Sequence, residues 1–125
     1  SLRIIFWFIF ALFIQKEETF IKITALYHHM PEELKKWWLQ AESDLDKARI
    51  MFEAEKYDGA IFYSQQAVEK ALKALWIAKN KSAPPRYHDL MFFFKSLSLP
   101  QQFKVACEDL TGGYITTRYP TGVEV

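Results

Sequence analysis

The chain has 125 residues, half of them hydrophobic and 17% aromatic, with a formal net charge of +1. That length supports one domain with one core and is too short for two. From Pro31 onward thirteen Lys/Arg face thirteen Asp/Glu, which excludes recruitment of nucleic acid or membrane by a global positive field; any such contact must use a local patch. The aromatic content fits a tight core or a further surface buried between subunits.

Residues 1–30 open with an uninterrupted apolar run from Ile4 to Ile14, preceded by Arg3 and followed by Lys16-Glu17-Glu18. A membrane-spanning helix needs roughly 18 to 20 apolar residues, and a signal peptide needs a small-residue cleavage site that does not follow here. The run therefore reads as an extra apolar N-terminal helix that packs within the chain or against another copy, with no membrane role. Met30-Pro31-Glu32-Glu33 also reads as a natural start, in which case 1–30 is translated upstream sequence. Residues 20–24 alternate weakly, as a short strand would. His28-His29 reads as an exposed linker pair, since no third ligand is evident.

The bundle proper is expected over residues 31–125. Pro31 and the acidic pair Glu32-Glu33 suit the first turn of a helix. Leu34, Trp38, Ala41, Leu45, Ala48 and Phe52 then recur at helical spacing, predicting a helix to about Glu55. A second helix is predicted over 57–81, joined so closely that the two form an antiparallel hairpin. Its stripe of Ile61, Ser64, Ala67, Val68, Ala71, Leu72, Leu75 and Ala78 makes it the central spine, and Gln65, Glu69, Lys73 and Lys79 fall on other faces. Small residues such as Gly59, Ala60, Ala67 and Ala71 permit close helix approach.

Ser82-Ala83-Pro84-Pro85 marks a loop. His88 or Asp89 opens a short third helix, and Pro100 begins a fourth through Phe103, Ala106, Cys107 and Leu110, with Thr111-Gly112-Gly113 as its expected stop and an irregular tail beyond. The fold class is thus all-α, an up-and-down bundle of four-helix type. Phe92, Phe93 and Phe94 exceed what one helix face buries, so one of them is expected to mark a contact surface between subunits. Trp37, Trp38 and Trp76 read as core or interface anchors. Cys107, the single cysteine, has no disulfide partner in the chain and reads as a packed residue in a reduced, cytoplasmic setting. Neither zinc-ligand spacing nor a phosphate-binding glycine loop is present, so no metal and no cofactor are expected.

Four pieces, in order, carry a family resemblance: Trp38-Leu39-x-Ala41-Glu42-x-Asp44-Leu45, the Ser64-Gln65-Gln66-Ala67-x-Glu69-Lys70-Ala71-Leu72-Lys73-Ala74 run, His88-Asp89-Leu90, and Tyr114-x-x-x-Arg118-Tyr119-Pro120. Together they resemble the HEPN domain, the helical nucleotide-binding domain of higher eukaryotes and prokaryotes. The resemblance implies a homodimeric helical bundle that binds nucleotide or RNA. It also implies partnership with a minimal nucleotidyltransferase in a toxin-antitoxin-like pair. Several branches of the family are metal-independent ribonucleases marked by an Arg followed four to six residues later by a His. Here Arg86 precedes His88 by two residues and no His follows Arg118. A general acid/base contributes about 100-fold to 10,000-fold in nucleases generally, so the reading leans away from an enzyme. Members of this type also continue past the Arg-Tyr-Pro segment into a closing helix, and the apolar N-terminal segment is expected to cover the face left open.

The candidate ligand-binding residues are therefore Arg86, His88, Arg118, Tyr119, Lys70 and Lys73, with no catalytic residue assigned. His88 sits at a loop-to-helix junction beside Arg86 and Tyr87, where it can meet a phosphate or instead cap the helix and make a structural hydrogen bond. Arg118 with Tyr119 offers a fork for phosphate and a ring for a base, or else Arg118 pairs with a spine carboxylate such as Glu69. Lys70 and Lys73 read as solvated lysines, with a basic wall as the functional alternative. Two other functions compete with the binding module: a metal-independent ribonuclease using His88 and Arg118, and a structural dimerisation protein.

Overall fold

The computed structural model describes residues 31–118, and at 102 and 113–118 the backbone alone. Helix α1 spans Glu32–Glu53 behind Pro31, with Glu32 and Glu33 in the first turn, where backbone N–H groups lack acceptors. Its predicted stripe is the buried one: Leu34, Ala41 and Ala48 are buried, and Trp38 and Leu45 pack partly buried on the core. A three-residue turn follows. Glu55 takes the left-handed region at φ 61°, and the Lys56 N–H donates to the Met51 carbonyl at 2.8 Å.

Helix α2, Tyr57–Asn80, returns antiparallel and ends where Lys81 adopts φ 55°. Gly59 lies against α1 so closely that a Cβ there would stand 3.1 Å from the Met51 sulfur. The helix is the spine: it packs along α1 on one side and against the third and fourth helices on the other. That double packing corrects the single-stripe expectation. Gln65, Glu69 and Lys73, expected on wet faces, are 2%, 3% and 4% exposed, whereas Leu75 of the expected stripe is 42% exposed. A helix with neighbours on two sides buries more of its circumference than one apolar stripe.

Helix α3, Leu90–Ser96, is opened by Asp89, the second of the two residues expected there: it is the cap and accepts from the Met91 N–H at 2.9 Å. Phe93 and Phe94 are buried. Phe92 packs partly buried between the rings of Trp76 and Tyr87 and is the most exposed of the three. A 3₁₀ turn at Gln101–Phe103 leads into α4, Lys104–Arg118.

The expected stop at Thr111-Gly112-Gly113 does not occur, and 114–118 are helical rather than irregular. Ala106, Cys107 and Leu110 hold α4 in the core. The Thr111 hydroxyl donates back to the Cys107 carbonyl at 2.9 Å, so it is satisfied inside the helix it was expected to end. Two glycines cost helix stability, each by about 1 kcal/mol relative to alanine, and the buried anchors outweigh that.

The described residues form an all-α up-and-down bundle without strands. Among them no helix is long and apolar enough to cross a membrane. The apolar N-terminal run proposed as a cover, the weak strand at 20–24 and the His28-His29 pair lie outside the described residues.

Candidate functional site

Positions 65, 69, 73 and 76 climb α2 at spacings of four, four and three, and so lie near one another on its surface. The segment linking α2 to α3 crosses this strip. Glu69 is buried at the crossing, and its carboxylate oxygens lie 3.1 and 3.2 Å from Nδ1 of His88. The His88 side chain is 77% exposed while that of Glu69 is 4% exposed, so one edge of the ring is anchored and the rest faces outward. Gln65 completes the clasp: its side-chain N–H group donates to Glu69 at 3.3 Å and to the His88 backbone carbonyl at 3.4 Å. Gln66 in turn donates to the Gln65 oxygen at 2.9 Å.

A carboxylate only accepts, so the proton on the anchored edge belongs to Nδ1. Nε2 is then left for whatever approaches from outside. In the neutral ring it is an acceptor, and in the protonated ring it is a second N–H donor suited to a phosphate oxygen. Of the structural alternative expected for His88, the hydrogen bond is present, to Glu69 on α2, whereas the cap of α3 is Asp89.

Lys73 is not a solvated lysine. Its Nζ donates to Glu69 at 3.3 Å and lies 5.0 Å from the centre of the Trp37 ring, with the side chain 5% exposed. Lys70, one residue along from Glu69, points instead to α1 and meets Asp44 at 2.5 Å, with 21% of its side chain exposed. Neither lysine is available as a basic wall. Arg86 is exposed and makes no ion pair among the described residues. Arg118 is the last residue of α4; its side chain, and all of Tyr119, lie outside the described residues. Glu69, offered above as a partner for Arg118, is already engaged by His88, Lys73 and Gln65.

The structure thus brings Arg86 and His88 into one short exposed segment and adds Gln65 and Glu69, neither of which was among the sequence-derived site residues. The signal for them was the i, i+4 ladder Gln65-Glu69-Lys73 in a helix too densely packed to keep it wet. Tyr87, between Arg86 and His88, is 56% exposed. Cys107 is buried, and burial first, then the charge of Glu108, push its thiol up from 9.0 to about 11. It is no thiolate near neutrality and no nucleophile. No group of three or more His, Cys, Asp or Glu among the described residues could hold a metal ion.

A helical spine carries a buried carboxylate that anchors an exposed histidine, two residues from an exposed arginine that makes no ion pair among the described residues, within an all-α domain. A family model described as the HEPN domain matches residues 34–125, most of the chain, and the chain belongs to that family. No curated protein and no solved structure gives a significant match.

Proposed function

We propose that this protein is a HEPN-type binding module that takes RNA or nucleotide phosphate at the α2–α3 junction. The observation that carries the reading is the Glu69-anchored, outward-facing ring of His88, two residues from the exposed Arg86. Protonated His88 offers Nε2–H to a phosphate oxygen, Glu69 balances the charge from behind, and Arg86 adds a fork-shaped second donor. Because the chain as a whole is nearly neutral, this local pair supplies the attraction. Arg118 and Tyr119 belong to the same proposal as the second phosphate-and-base contact. A homodimeric state and a nucleotidyltransferase partner in a toxin-antitoxin-like pair are the expected setting of the module.

The test is binding of a labelled single-stranded RNA in EDTA as salt is varied. Wild-type protein should bind without cleaving. At pH 6, His88→Ala and Arg86→Ala should each weaken binding across sequences and lower the log–log salt slope by about 1. Absence of RNA binding would overturn the proposal. Cleavage in EDTA that disappears in both His88→Ala and Arg118→Ala would replace it with a metal-independent ribonuclease.

A further inference from the structure

Tyr87 carries a large ring in the middle of an exposed segment, and exposed aromatic rings are ordinarily free to turn. This one is braced. Its centroid lies 4.7 Å from that of Phe92 with the planes at 68°. Phe92 is itself stacked on Trp76 at 6.1 Å and edge-packed on Phe93 at 5.3 Å, and Phe93 is fully buried. A chain of rings therefore runs from the core to Tyr87 and fixes its orientation from beneath. Edge-to-face contact engages only part of a ring, and Tyr87 remains 56% exposed. A held ring that stays largely exposed can serve as a stacking surface whose orientation entropy is already lost before a ligand arrives.

The position of this ring relative to His88 follows from the spine. His88 is anchored at Glu69, and Phe92, which supports Tyr87, rests against Trp76. These spine residues are seven apart on nearly the same face of α2, about 10 Å along its axis. The anchor of His88 and the support beneath Tyr87 thus lie on one side of the spine, separated along it, as the backbone and the bases of a nucleic acid strand are separated. Double-stranded RNA keeps its bases stacked on one another and could not present one to Tyr87; a single strand can.

Resting on the phosphate reading above, we infer that Tyr87 is a base-stacking platform, and that the site takes single-stranded RNA with a phosphate at His88 and a base of the same or the neighbouring nucleotide on the Tyr87 ring. Stacking is tolerant of sequence because every base has a π face. The junction accordingly distinguishes unpaired from paired RNA more than one base from another.

The experiment compares two fluorescently labelled oligonucleotides of equal length and charge, one a single-stranded RNA and one abasic along its length, by anisotropy with the full chain. Wild-type protein should bind the base-bearing strand about tenfold more tightly. Tyr87→Ala should remove that preference while leaving affinity for the abasic strand unchanged, and Tyr87→Phe should keep it. His88→Ala should weaken both strands equally. Far-UV circular dichroism of each variant establishes that the helices are intact. If Tyr87→Ala retains the preference, or weakens both strands alike, Tyr87 is not a stacking platform although the phosphate reading stands. If wild-type protein binds neither strand, both readings are overturned.

Discussion

Two charged clusters leave α2 from adjacent residues, and they differ in what they join. Lys70 pairs with Asp44 across the α1–α2 hairpin, and Lys47, 3.9 Å from the same Asp44, lies 5.5 Å from the centre of the Tyr63 ring. Every member of that cluster belongs to the hairpin, so the cluster locks two helices that a short turn already places side by side. Glu69 instead reaches His88 across the α2–α3 segment while holding Lys73 below. Its members grade from 4% to 77% exposed. Interaction energy in the first cluster stays within the scaffold, whereas the second transmits a buried charge to a group at the surface. Residues one apart on a helix differ by about 100° in direction, which is why neighbours in sequence serve such different ends.

The largest effect expected is at Glu69. Glu69→Ala leaves the Lys73 ammonium, 5% exposed, without its carboxylate, and should destabilise the fold by about 3 kcal/mol in urea unfolding. The double variant Glu69→Leu/Lys73→Met removes both charges and should recover most of that loss, because a buried pair replaced by apolar groups is often neutral. It should not recover RNA binding, since His88 stays unanchored. Recovery of binding along with stability would show that Glu69 serves only Lys73 and would erase the difference between the clusters.

Asp44→Ala ranks second. It strips Lys70 of its partner, but Lys70 is 21% exposed and can turn to water, so the cost should be about 2 kcal/mol. RNA affinity should be unchanged. A loss of affinity comparable to that of His88→Ala, at protein concentrations and temperatures where the variant is fully folded, would mean the hairpin cluster also shapes the junction.

The hairpin was legible in the sequence because its signals are local: helical spacing from Leu34 to Phe52, a turn too short for anything but an antiparallel return, and small residues where the helices meet. The clasp was only half legible. His88 stood out as a titratable group at a junction, but its partner lies 19 positions away on the spine, and hydrophobic periodicity assigns Glu69 and Lys73 to water. Periodicity registers one buried stripe; it is blind to a polar pair enclosed when a second layer of helices closes over it. The glycine pair in α4 misled for the related reason that a local stop signal, worth about 1 kcal/mol per glycine, was set against core contacts made by Cys107 and Leu110 that no local pattern displays. Nor does any local pattern display that Phe92 packs between Tyr87 and Trp76, rings from two other parts of the chain.

The smallest stability effect expected is at His88 itself, and it carries the comparison furthest. With its side chain 77% exposed, His88 gains little from its ion pair, as exposed pairs generally do. His88→Ala should change unfolding free energy by no more than about 0.5 kcal/mol, although it removes one of the contacts to Glu69, because Lys73 and Gln65 continue to satisfy the carboxylate. The same substitution is expected to weaken RNA binding. A residue that costs almost nothing to the fold and much to the ligand is placed for the ligand; a structural clip would show the opposite ratio. Thermal unfolding and RNA titration on one preparation of His88→Ala measure that ratio directly, and a loss well above 1 kcal/mol with binding intact would return His88 to the scaffold, alongside Asp44 and Lys70.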